Sequence, residues 1–175
     1  MAQETQTPQK QPKVVLGPDG KPCRTCMSSS GFKDMLKKAG AGASSTSAAA
    51  IASTSKAPLS ECPADVETLG RHTWTFLHTT AAYYPESPSQ AHQTQMLGLL
   101  KSLPTLYPCH HCADALKTEM ASHPPEPAIR DRFTLSKWMC DIHNQVNGRL
   151  GKDIFDCSKT DERWRTGWKD GSCDV

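Results

Sequence analysis

No stretch of this 175-residue chain approaches the ~20 consecutive apolar residues that span a bilayer as a helix, so no membrane span is expected. Nor does one charge dominate: 20 Lys and Arg stand against 18 Asp and Glu, a net +2. With both signs mixed along the chain, a nucleic-acid partner is not expected. Alternating polar and apolar runs are missing, which removes half-buried strands. The opening MAQETQTPQKQPK has no apolar run of the secretory kind. Glu4 and Asp19 likewise interrupt any acid-free amphipathic presequence. No G-x-G-x-x-G fingerprint is present, so no nucleotide is expected on a Rossmann sheet.

What the chain has in excess is cysteine. The eight are Cys23, Cys26, Cys62, Cys109, Cys112, Cys140, Cys157 and Cys173. That number suggests disulfide, metal or redox chemistry. Without a signal, it points to an oxidising compartment reached by another route, such as the mitochondrial intermembrane space, or to catalytic thiols in the cytosol.

Residues 1–61 read as a flexible arm, and 62–175 as a folded domain. The first twenty residues, rich in Gln, Thr, Pro and Lys, have no periodicity that builds a core. A turn-rich Gly17–Pro22 leads into Cys23-Arg24-Thr25-Cys26, and Phe32, Met35 and Leu36 then form a short apolar face. Gly, Ala, Ser and Thr up to Ser60 are linker composition. As a random coil, the chain from Cys26 to Cys62 spans roughly 30–35 Å, enough to carry the first cysteine pair to its own domain or to a partner subunit.

The folded part reads as all-α: four helices in a bundle with a short fifth. Cys62-Pro63 suits a helix start, and Val66, Leu69, Leu77, Ala81 and Tyr84 form a stripe ending at Pro85. Gly70, Trp74 and His78 share a second face at i, i+4 spacing. A second helix runs from Ser89 to Leu103, with Pro104 as its stop, and a third from Cys109 to about Ser122, where His123-Pro124-Pro125 breaks the chain. The fourth spans roughly Arg130 to Leu150, with Leu135, Met139, Ile142, Val146 and Leu150 on its apolar side. Its neighbouring face shows Cys140, His143, Asn144 and Asn147. Ser158-Lys159-Thr160-Asp161 resembles a capping box opening a short helix that holds Trp164 and Trp168 on one side.

Two chemistries compete for these thiols. Cys109-x₂-Cys112 with Cys140-x₂-His143 is a structural-zinc ligand set, which would make the chain a zinc-stabilised helical interaction module. Against it, the gap between the pairs is long for a finger. In the redox reading, Cys109 follows Pro108 at a helix N-terminus, where unpaired N–H groups stabilise its thiolate, and Cys112 one turn later can resolve it. Cys140 and Cys157 would then staple the long helix to the last one. A cycling pair must pass two electrons onward, and a flavin can take them. Trp74 and Trp164 offer stacking surfaces; His78, His143, Asn144 and Asn147 offer hydrogen bonds; Arg71, Lys152 and Arg163 could meet a pyrophosphate. On this reading FAD sits at the bundle mouth, and no metal is called for.

Leu69-Gly70-Arg71-His72-Thr73-Trp74-x-x-Leu77-His78, Tyr83-Tyr84-Pro85 and Tyr107-Pro108-Cys109-x-x-Cys112 resemble the FAD-linked sulfhydryl oxidases of the Erv/augmenter-of-liver-regeneration family. So do Trp138-Met139-Cys140-x-x-His143-Asn144-x-Val146-Asn147 and the closing Glu162–Asp174. Gly17–Cys26 is similar to the shuttle arm of the mitochondrial long forms. The resemblance implies a cone of four helices and a short fifth cradling FAD, assembled as a homodimer. It implies FAD contacts from Gly70, Arg71, Trp74, His78, Tyr83, His143, Asn144, Asn147, Lys152, Arg163 and Trp164. It also implies exchange between Cys109 and the Cys23–Cys26 shuttle, Cys112 beside the flavin, a structural Cys140–Cys157 disulfide, and Cys62 and Cys173 bridging subunits. Its implied partners are the intermembrane-space import receptor as thiol donor and oxygen or cytochrome c as acceptor. One departure stands out: His110-His111 lies inside the reactive pair, where many relatives carry an acidic residue. A protonated imidazole there would favour the reduced thiolate and a more oxidising pair.

Overall fold

The computed structural model describes Leu16 and residues 62–173. The expectations for Cys23, Cys26 and the arm's Phe32, Met35 and Leu36 fall outside these residues. The chain divides into two units, 1–67 and 68–175. Every element from 62 to 173 is helical: α1 (Val66–Ala82), α2 (Gln90–Leu106), α3 (His110–Ser122) and α4 (Arg132–Arg149). A 3-10 turn at Ala128–Arg130 precedes α4, and two short turns follow it. No helix among the described residues is long and apolar enough to cross a membrane.

Capping explains where the helices begin. Ser89 accepts the His92 N–H at 3.3 Å and opens α2. Asp131 accepts the Thr134 N–H at 2.8 Å and opens α4, so that helix starts at Arg132 and Arg130 belongs to the preceding turn. The first helix starts at Val66 instead of beside Pro63. Pro104 does not stop α2, which continues to Leu106. A proline loses its own N–H bond and crowds the carbonyl four residues back, but the bonds after it can still form. The turn after it still closes, with Tyr107 N–H donating to the Leu103 carbonyl at 3.0 Å.

One apolar core joins the helices. Leu77, Ala81 and Tyr84 meet Met96 and Leu100 of α2, Met120 of α3, Ala128 and Ile129 of the 3-10 turn, and Leu135 and Met139 of α4. The buried Tyr84 hydroxyl donates to the Ile129 carbonyl at 3.0 Å, tying the end of α1 to the entry of α4. Burial raises the Tyr84 pKa and keeps it a neutral donor. The α4 stripe is shorter than its periodicity suggests. Leu135, Met139 and Ile142 are buried, whereas Leu150 is 60% exposed beyond the last turn. Leu135→Ala should therefore cost about 2–5 kcal/mol. Leu150→Ala should stay within about 0.5 kcal/mol. Urea denaturation of both variants checks the contrast.

Candidate functional site

α1 and α4 present their small polar faces to each other. Trp74 and His78, four residues apart, meet His143 of α4, whose ring stacks on Trp74 with centroids 4.0 Å apart and planes 5° from parallel. His78 Nε2 and His143 Nδ1 share a hydrogen bond of 2.9 Å. The other neighbour of His78 is Trp164, stacked at 4.6 Å and 4°. The Arg163 guanidinium lies 4.4 Å over the Trp164 ring, a cation–π contact. Thus α1, α4 and the C-terminal turn each contribute to one cluster of four rings.

Both imidazoles are held neutral. Burial lowers the His78 pKa to about 3, with His143 and Arg163 adding to the effect. Burial, then Lys152, lowers His143 to about 4. One ring therefore donates to the other as a neutral pair. Neutral flat rings bordered by the exposed cations Arg163 and Lys152 suit a planar heteroaromatic group with an anionic tail. The donor set fits FAD in kind. Gly70 adds open space, since a Cβ built there meets nothing within 4 Å.

Asn144 makes its hydrogen bonds within the chain. Its Nδ2 donates to the Phe155 carbonyl and its Oδ1 accepts the Phe155 N–H, both at 2.9 Å. Asn147 Nδ2 also reaches Asn144 Oδ1 at 3.3 Å, and the Asn147 carbonyl accepts the Lys152 N–H at 2.9 Å. The Asn144 side chain and the Asn147 carbonyl hold the loop after α4 against that helix. The Cys140–Cys157 disulfide closes the same loop. Arg71 and Tyr83 are exposed, and Arg165 lies 5.8 Å over the Tyr83 ring.

Cys109 and Cys112 are bridged across the first turn of α3. Cys109 is its N-cap: the sulfur accepts the Cys112 N–H at 3.3 Å, a donor that would also serve a thiolate. Cys109 is fully buried and Cys112 half-buried. The zinc set is not assembled, because Cys140 bonds to Cys157 and His143 turns its Nδ1 to His78. Cys62 and Cys173 are exposed and unbridged within the chain.

The short fifth helix takes another form. Asp156, not Ser158, is the cap, accepting the Ser158 N–H at 3.0 Å and opening a 3-10 turn at Cys157–Lys159. A π-turn at Glu162–Thr166 follows and carries Trp164. Gly167 ends it at φ 80°, where a Cβ would meet Cys173 Cβ at 3.1 Å, so Trp168 lies outside the element. Phe155 and Arg132 went unread in the sequence. Phe155 contributes backbone alone, and a charged residue in the first turn of a helix gives no sign that it is buried.

A disulfide capping a helix within an all-α bundle has the form that thiol–disulfide exchange uses. Residues 71–165 match the model of the Erv1 / Alr family. The chain is 35% identical over 170 residues to the Saccharomyces cerevisiae mitochondrial FAD-linked sulfhydryl oxidase ERV1, covering 89% of each chain. It is 42% identical over 114 residues to the Arabidopsis thaliana FAD-linked sulfhydryl oxidase ERV1, covering 65% of this chain and 59% of that one. The crystal structure of the yeast Erv1 core superposes with a TM-score of 0.60 at 36% identity, covering 69% of this chain and all of that one. This chain belongs to the Erv1 / Alr family.

The imidazole pair makes stability depend on pH. The unfolded histidines titrate near 6.5, and the folded ones near 3 and 4. Below pH 6.5 the unfolded chain takes up protons that the folded one refuses, so stability falls with acid. Urea midpoints should drop between pH 7 and pH 5. A His78→Asn/His143→Gln variant should show a shallower drop than the parent, and equal drops would exclude the pair as the cause.

Proposed function

We propose that this chain is an FAD-dependent thiol oxidase that generates disulfides in the mitochondrial intermembrane-space relay. The observation that carries the reading is the Cys109–Cys112 bridge, whose sulfur caps α3 and retains a backbone N–H donor. Bound FAD supplies the two-electron acceptor that a dithiol needs, with oxygen or cytochrome c as the final oxidant. Trp74, His78, His143 and Trp164 would hold its ring system, and Arg71, Lys152 and Arg163 its phosphates. Gly70, Tyr83, Asn144 and Asn147 complete the proposed set, the two asparagines acting through the loop they secure.

The chain's own chemistry is thiol–disulfide exchange. A substrate dithiol, handed over by the intermembrane-space import receptor, reduces Cys23–Cys26 and leaves as a disulfide. A thiolate of that shuttle pair attacks the Cys109–Cys112 bond, and one of its sulfurs departs as thiolate. The second shuttle thiolate resolves the mixed disulfide, leaving Cys109 and Cys112 as a dithiol. In this assignment Cys109 receives the shuttle and Cys112 serves the cofactor side. Because Cys109 is fully buried here, exchange at its sulfur requires the structure around it to open. A mitochondrial location is supported by the Saccharomyces cerevisiae relative, which is named a mitochondrial FAD-linked sulfhydryl oxidase. Exposed Cys62 and Cys173 suit bridges between the subunits of a homodimer.

The purified protein should be yellow, and Cys112→Ser should keep its flavin absorbance while losing oxidase activity. Replacing Cys23 and Cys26 with serine should spare oxidation of a small dithiol and abolish oxidation of protein substrates; parallel loss of both would remove the shuttle role. On a non-reducing gel the parent should run at dimer size, and a Cys62→Ser/Cys173→Ser variant at monomer size.

A further inference from the structure

The cluster of rings draws on three chain segments: α1, α4 and the turn bearing Trp164. A single buried side chain joins the same three regions. Arg132, in the first turn of α4, is 4% exposed. Its Nη1 donates to Asp161 Oδ1 at 2.6 Å, and its Nη2 lies 3.6 Å from Glu86 Oε1. Glu86 stands just past the end of α1, and Asp161 immediately precedes the π-turn.

The π-turn needs such an anchor. Turns of this width are rare and occur as single turns. This one is closed locally by Thr166 Oγ1 donating to the Asp161 carbonyl at 3.3 Å. Between Cys157 and Trp164, Asp161 is the residue that ion-pairs with another helix among the described residues. Apolar packing does not fill the space beside it: Asp161, Thr160, Ser158 and Cys157 border a cavity of about 370 Å³ against Phe133, Ser136 and Lys137. Among the described residues, Arg132 Nε finds no hydrogen-bond partner. A guanidinium buried at the cost of an unmet donor, against carboxylates that are themselves exposed, is poor as a stability device, since removing both charges of such a pair is often neutral or stabilising.

We infer that Arg132 is a positioning residue: it holds Asp161 so that the π-turn delivers Trp164 to the face of His78, and FAD affinity depends on that placement. The inference rests on the flavin reading above. Arg132 acts through Asp161 and not by touching the cofactor.

The test uses the full chain. In Arg132→Met/Asp161→Leu both charges are removed together, so neither is left unpaired. The expected result is an apoprotein thermal midpoint close to the parent's, with FAD affinity at least tenfold weaker by equilibrium titration and with weaker quenching of flavin fluorescence by Trp164. Asp161→Glu, which keeps the carboxylate, should recover most of the affinity. Parental affinity and quenching in the double variant would overturn the positioning role. If the double variant fails to fold, Arg132→Lys serves instead: reduced affinity at an unchanged apoprotein midpoint supports the role, and unchanged affinity overturns it. Trp164→Ala separates the two readings, because parental FAD affinity in that variant would overturn the placement of the flavin at this cluster, whatever Arg132 does.

Discussion

Trp164 reaches His78 because the chain leaving α4 is turned back along that helix, and the Cys140–Cys157 disulfide is the covalent part of that return. Closing a loop of this size is worth about 3 kcal/mol in the chain-entropy account. Entropy alone fixes two ends and leaves the interior free. Here the interior is fixed by the Asn144 amide, which pairs with both backbone groups of Phe155. The loop therefore has a defined path between its covalent ends. Lys152 is set by its N–H bond to the Asn147 carbonyl, and it acts on His143 electrostatically.

That path explains which parts of the site were legible in the sequence. Trp74 and His78 at i, i+4, with His143 on the face of another amphipathic helix, are pattern features, and the structure brings them together. Helical periodicity places side chains on a face with no knowledge of the fold. Trp164 was legible as an aromatic but its element was not, because π-turn geometry has no periodic signature and follows from tethers at Asp161 and Cys157. Arg132 was illegible for a related reason. Its burial depends on Glu86 and Asp161, which lie 46 and 29 positions away and become neighbours only in the folded chain. Pro104 misled in the opposite direction: a local breaker rule met a helix with one satisfied turn still to come.

Neutrality links the imidazoles to this architecture. An imidazolium at His78 would lie under a stacked indole, beside His143 and close to Arg163, with burial denying it water. The neutral pair can share one proton along the His78–His143 bond and keep its ring faces uncharged. Arg163 meanwhile stays outside, over the indole, where its charge remains solvated. Cations at the rim and neutral rings within form a polarity gradient that uses the same few residues for both purposes.

The two disulfides differ in what surrounds their sulfurs. At Cys109 the backbone offers the Cys112 N–H, so reduction leaves a sulfur that already has a donor at the positive end of α3. At Cys157 the neighbouring charge is the Asp141 carboxylate, with Oδ1 3.6 Å from the sulfur, and the Phe155 carbonyl lies at 3.8 Å. Both oppose a thiolate there. Asn144 Nδ2, at 3.4 Å from Cys157 and 3.8 Å from Cys140, is the counterweight, but it is already committed to the Phe155 carbonyl at 2.9 Å. Opening the first bridge thus produces a supported anion, while opening the second produces one beside a fixed negative charge and frees the loop that carries the chain back toward Trp164. Local electrostatics supports a thiolate better at the first pair than at the second, although both are disulfides anchored on helices of the same bundle.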